Sequence, residues 1–152
     1  MKSTAQLLVE LYLESRTRFT NLLLDLTEED LKKRLPPSPN SIGFLIRHIG
    51  EVELLFAKNV FGDKTIRVTA KTVIAQRDTG EWTNLEELKA YVEDSFEALK
   101  AVIEKQTNED WESMIATKEF GQKTKAEAFG RIVSHTAYHA GQIGMLKKHG
   151  TI

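Results

Sequence analysis

Residues 124–150, TKAEAFGRIVSHTAYHAGQIGMLKKHG, read as one long helix carrying chemistry on a single face. Thr124-x-x-Glu127 is a capping box: the threonine hydroxyl and the glutamate carboxylate each satisfy a backbone N–H left free at a helix start. Phe129, Ile132, Val133 and Ile143 supply the apolar side. Lys147, Lys148 and His149 place positive charge at the C-terminal end, where the helix dipole favours it, and Gly150 ends the helix near Lys148. His135 and His139 stand at i and i+4, so both imidazoles leave one face about one turn apart. Ala128, Ile132, Gln142 and Leu146 share that face, which points it at least partly inward.

The same helical period recurs upstream. Leu7, Leu8, Leu11, Tyr12, Phe19, Leu22, Leu23 and Leu26 form an apolar stripe from Ser3 to about Asp25. Thr27 followed by Glu28, Glu29 and Asp30 marks a short helix start, which Pro36, Pro37 and Pro39 convert into an extended linker. Ser41 caps a second long helix, with Ile42, Leu45, Ile46, Ile49, Val52, Leu55 and Phe56 inward and a stop near Gly62. Thr83-x-x-Glu86 opens a third, with Leu85, Leu88, Tyr91, Val92, Phe96, Leu99, Val102 and Ile103 inward. Thr107 to Trp111 closes it. Residues 63–82 show no helical period and are too long for a tight turn, so they cross over the bundle. Lys118 to Lys125 reads as a solvated loop, and Trp82, Trp111 and Tyr91 as core or loop-anchoring aromatics. The expected architecture is a single domain, residues 1–152: an all-α, antiparallel four-helix bundle with one long crossover connection.

Composition narrows the function classes. The chain has 152 residues and no cysteine, which excludes a disulfide framework, cysteine-ligated metals and a cysteine nucleophile. A net charge of −1 removes the bulk electrostatic basis for nucleic-acid binding. No apolar run approaches the roughly 20 residues of a membrane span, and the N-terminus lacks a signal-peptide core, so a cytoplasmic location is expected.

Four histidines hold the remaining information. His48 lies on the inward stripe of the second helix, so the bundle can bring it to His135 and His139. Three imidazole nitrogens would bind Zn²⁺ or a similar borderline cation and leave a coordination position open. Spacing alone leaves a second reading, in which these are hydrogen-bonded core histidines. His149 reads as a helix-end cation. Thr136, Ala137 and Tyr138 fill the gap between His135 and His139, so the glutamate of His-Glu-x-x-His metalloproteases is missing. No Glu-x-x-His pair occurs, against a carboxylate-bridged di-iron bundle. Gly141 and Gly144 suggest close helix packing, at a subunit interface for example, ahead of ligand approach. Tyr138 and Gln142 have two readings, as hydrogen-bonding partners of a ligand or metal-bound water, or as surface and packing residues.

Two motifs carry a family resemblance: Ser41-Ile42-Gly43-x-Leu45-Ile46-x-His48 followed by Glu51 and Glu53, and Ser134-His135-x-x-Tyr138-His139-x-Gly141-Gln142. With the order of elements, Leu26 to Glu29 and the proline-rich linker, the chain resembles the DinB-like family over nearly its whole length. The resemblance implies a four-helix bundle and a divalent metal on His48, His135 and His139, with no DNA binding. Zinc or nickel is the first expectation for that metal, iron or manganese the second. Some members of the wider superfamily are thiol S-transferases. By analogy, a metal-bound small thiol would attack a small electrophile, the sulfur coming from the co-substrate because the chain has no cysteine. Arg47, Arg131 and Gln142 are candidates to hold a charged thiol. The competing expectation is a non-catalytic, dimeric metal-binding bundle whose metal is structural or sensory; a homodimer is the expected assembly in either case. No catalytic residue is assigned.

Overall fold

In the computed structural model, which describes all residues 1–152, four long helices build the molecule: α1 (Thr4–Leu24), α2 (Ile42–Asn59), α4 (Leu85–Glu104) and α6 (Lys125–His149). Between them lie a 3-10 turn (Asp30–Lys32), one-turn helices α3 (Lys71–Ala75) and α5 (Asn108–Glu112), and a hairpin of β1 (Met114–Thr117) and β2 (Gly121–Thr124). The all-α bundle is thus the architecture. No helix is long and apolar enough to cross a membrane.

Local signals set the helix starts. Ser3 with Gln6, Thr107 with Asp110 and Thr124 with Glu127 each form a reciprocal capping box. The third long helix begins one residue later than Thr83 implies: Asn84 is the cap and its side chain accepts from the Glu87 N–H. At the end of α2, Gly62 takes a φ of 87°, a turn that a residue with a Cβ resists.

The helices form a ring in which α2 packs on α4 and α6, and α1 packs on α4 and α6, leaving α1 and α2 on a diagonal. α2 and α4 run in the same direction: Arg47 sits over Tyr91, and Glu53 meets Ser95 farther along both. α1 and α6 also run together, with Tyr12 on Thr136 and Asp25 on Lys147. The bundle is therefore only partly antiparallel. Parallel neighbours cannot be joined by a tight turn, so the chain after α2 returns along the bundle before entering α4.

Two buried apolar clusters fill the interior, one around Tyr12, Phe56, Leu99, Trp111 and Phe129, the other around Phe19, Ile46, Ile49, Leu88 and Ile143. Between these positions along each helix lies a buried polar residue: Arg16, Glu53, Ser95 and Thr136. Arg16 Nε donates to Glu53 Oε1 at 3.0 Å, Ser95 Oγ donates to Glu53 Oε2 at 3.1 Å, and Arg16 Nη2 donates to the Val92 carbonyl at 2.8 Å. Burial pushes the Glu53 carboxyl up, with Arg16 pulling it back. A buried charge of this kind persists only when paired and hydrogen-bonded.

Three expectations need correction. Leu7 and Leu11 are each 54% exposed, whereas Arg16 occupies the buried face of α1. Residues 118–125 are not merely a solvated loop: the hairpin turns through Gly121 at φ 69°, and Phe120 packs toward Phe56 at 6.2 Å between ring centres. Close packing at Gly141 and Gly144 does not occur within the chain, since a Cβ at either would meet open space. The close approaches are instead at Gly43, where a Cβ would strike the Trp82 carbonyl, and at Gly50, where it would come within 2.7 Å of the Tyr91 ring.

Candidate metal centre

α2 and α6 pack antiparallel, and their facing histidines meet between them. Ring centres lie 4.4 Å apart for His135 and His139, 4.9 Å for His48 and His139, and 5.0 Å for His48 and His135. One ring nitrogen from each comes within 4.8 Å of the other two, forming a group able to hold a metal ion. Phe44, one turn before His48 on α2, stacks parallel to its ring at 6.0 Å.

Hydrogen bonds select which nitrogens face inward. Thr72 Oγ1 donates its single proton to Glu51 Oε2 at 2.5 Å, so it accepts from His48 Nδ1 at 3.0 Å. His48 thus carries its proton on Nδ1 and turns the Nε2 lone pair toward His135, whose Nε2 is 3.1 Å away. At His139, Nδ1 donates to Gln142 Oε1 at 2.6 Å, which leaves Nε2 free. His135 Nδ1 is buried and has no protein partner.

The donor set fits a borderline divalent cation. Tetrahedral metal–nitrogen bonds of about 2.0–2.1 Å separate the ligand atoms by about 3.3 Å, close to the spacing of the two Nε2 atoms. Burial, reinforced by the neighbouring His139, lowers His48 to about 4 and His135 to about 3. Burial lowers His139 as well, opposed by its bond to Gln142. All three imidazoles are therefore neutral at pH 7 and ready to ligate without losing a proton. The Nδ1 donors on His48 and His139 are the kind of support that orients metal-bound imidazoles.

A model of the DinB superfamily matches residues 11–143. The chain belongs to the DinB superfamily. No curated protein matches it.

Within this DinB bundle the other candidates separate. Gln142 reaches back to His139, so its carbonyl oxygen is engaged with a cluster residue. Tyr138 is 66% exposed, with its ring edge-on to His139 at 5.2 Å. It lines a cleft of about 550 Å³ together with Phe56, Glu119, Arg131, Ser134 and His135. Arg131 thus stands in the cleft that reaches the cluster, beside the Phe120 ring at 5.7 Å. Arg47 is occupied elsewhere: it pairs with Glu51 at 2.9 Å and lies 3.5 Å over the Tyr91 ring. His149 is exposed at the end of α6, away from the cluster.

Two partners of the DinB cluster escape a reading of the chain alone. Thr72 lies in the crossover, where no period marks it. Glu51 stands in the motif after His48, but its role depends on Thr72 and Arg47 folding against it.

Proposed function

We propose that the protein is a divalent-metal-dependent thiol S-transferase, using His48, His135 and His139 as its metal ligands and a small electrophile as acceptor. The convergence of three neutral imidazoles beside the 550 Å³ cleft carries this reading. A cation held there, zinc or nickel by preference, would supply Lewis acidity that lowers the pKa of a bound thiol. The chain's own groups would do the rest. Arg131 and Ser134 would hold a carboxylate or polar tail of the thiol at the cleft wall. Phe56 and Tyr138 would cover apolar parts of the acceptor. Glu119, the carboxylate lining the cleft, would take the thiol proton to solvent. In the reaction the S–H bond is lost, an S–C bond forms, and the acceptor's leaving group departs with its electron pair.

The same reading keeps the chain as a homodimer, for which the open space over Gly141 and Gly144 on α6 leaves room. A non-catalytic metal bundle is the competing function, favoured by the tie between the crossover and His48.

The discriminating experiment loads the protein with Co²⁺, records its visible spectrum, and adds cysteine or 2-mercaptoethanol. Conjugation of the same thiols to an aryl chloride is then followed. A new sulfur-to-cobalt charge-transfer band with metal-dependent conjugation supports the transferase. A bound metal whose spectrum ignores both thiols leaves the structural role.

A further inference from the structure

The crossover of residues 63–82 is docked at separate points: Ile66 and Trp82 pack against the two core clusters, Asp78 Oδ2 accepts from the Ser41 N–H at 3.1 Å, and Thr72 holds the middle. Only Ala70 and Thr72 are buried in it, and Thr72 is the polar one, at 2% exposure. Val73 and Ile74 beside it in α3 are exposed. Thr72 nevertheless makes three bonds. Its N–H donates to Glu51 Oε2 at 2.9 Å, satisfying a donor that the first turn of α3 cannot use internally. Its hydroxyl donates to the same oxygen at 2.5 Å and accepts from His48 Nδ1 at 3.0 Å. Glu51 is itself fully buried and held by Arg47 through its other oxygen at 2.9 Å. One hydroxyl therefore ties the middle of the crossover to the metal centre and sets the orientation and tautomer of a cluster imidazole.

We propose that Thr72 couples the crossover to the metal centre: metal on His48 tightens the docking of residues 63–82, and release of that segment weakens metal binding. The proposal rests on the three-histidine metal reading. A cation at Nε2 withdraws electron density from the ring and makes Nδ1–H a stronger donor, so the bond to Thr72 strengthens on loading. Linkage makes the effect reciprocal, because whatever the metal adds to docking, docking adds to metal affinity. Thr72 is a positioning residue, acting through His48.

The test compares wild type, Thr72→Ser and Thr72→Val, with Thr72→Ala in reserve should the valine variant not fold. Zn²⁺ affinity is measured by competition with a chromophoric chelator, and Co²⁺ spectra are recorded. Trypsin's first cuts at the exposed Arg67, Lys71 and Arg77 are timed with and without Zn²⁺. Serine keeps the hydroxyl and should match wild type in all three. Valine should bind Zn²⁺ about 10–100-fold more weakly, shift the Co²⁺ bands, and lose the slowing of those cuts by Zn²⁺. Equal affinity and spectra in wild type and the valine variant would overturn the coupling, as would equal protection of the crossover. Failure of wild type to bind Zn²⁺ would overturn the metal reading itself, and the coupling with it.

Discussion

Nε2 of His48 on α2 lies 3.1 Å from Nε2 of His135 on α6. The Nδ1 proton of His48 is committed to Thr72, so this side of its ring presents a lone pair. The contact has the length of a hydrogen bond that His135 Nε2–H can donate in the metal-free protein, and equally the spacing of two ligands on one cation. Acidity, ring orientation, packing and the buried ion pair each yield a consequence that can be measured.

Acid should separate metal binding from the behaviour of ordinary histidines. His48 is held near 4 and His135 near 3, against 6.5 for the free side chain, mainly by burial. Between pH 6.5 and about 4 the unfolded chain binds more protons than the folded one, so metal-free stability falls as pH drops through that window. Protons compete for folded His48 and His135 only below it, and for His139 below the ordinary histidine range. Zn²⁺ affinity should therefore fall less from pH 7.5 to 5.5 than three free imidazoles would give, and collapse near pH 4. An affinity already falling steeply at pH 6.5 would show that the cluster is not buried as described.

Gln142 should act through His139. Replacing it with leucine removes the acceptor 2.6 Å from Nδ1 and frees the ring to rotate. Zn²⁺ affinity is expected to fall about 10–100-fold, while Gln142→Glu, which keeps an acceptor, retains it. Isothermal titration of the two variants decides the point; a leucine variant binding as tightly as wild type removes Gln142 from the site.

The glycines should respond in opposite directions. Gly50→Ala drives a Cβ into the Tyr91 ring and should cost about 1–3 kcal/mol. Gly144→Ala meets open space on a helix and should add up to about 1 kcal/mol. Urea midpoints test both. A Gly144→Ala variant that instead loses stability in a concentration-dependent way would place that face in a dimer contact.

Arg16→Met leaves the Glu53 carboxylate buried without its cation, at a cost of about 3–5 kcal/mol. Arg16→Met with Glu53→Leu should recover most of that loss, because the uncompensated charge is gone. Denaturation curves for the single and double variants check this. A single variant within 1 kcal/mol of wild type (roughly the scale of an exposed pair) would contradict the buried pairing.

The legible parts of this fold are the local ones. A capping box involves residues three apart, so Thr124 and Glu127 reveal themselves in the sequence, as do the apolar rows of α2 and α4. At the start of α4, Thr83 and Asn84 are adjacent capping residues followed by adjacent glutamates, and only the fold selects the second. α3 and the strands of the hairpin are too short for a period to develop. Arg16 looks like a solvent-facing cation until Glu53 arrives from the diagonal helix. The histidine pair on α6 is visible as a spacing and His48 as a position on the inward stripe of α2, and the family motif ties the three together. The Thr72 link to Glu51 and His48 depends on a return of the chain that no local pattern encodes.

The central claim is best tested by metal content. Purified wild type, stripped with chelator and reloaded with Zn²⁺, should retain one equivalent after gel filtration, with His48→Ala, His135→Ala and His139→Ala each losing it while staying folded. Wild type that retains no metal, or alanine variants that retain as much as wild type, would contradict the account.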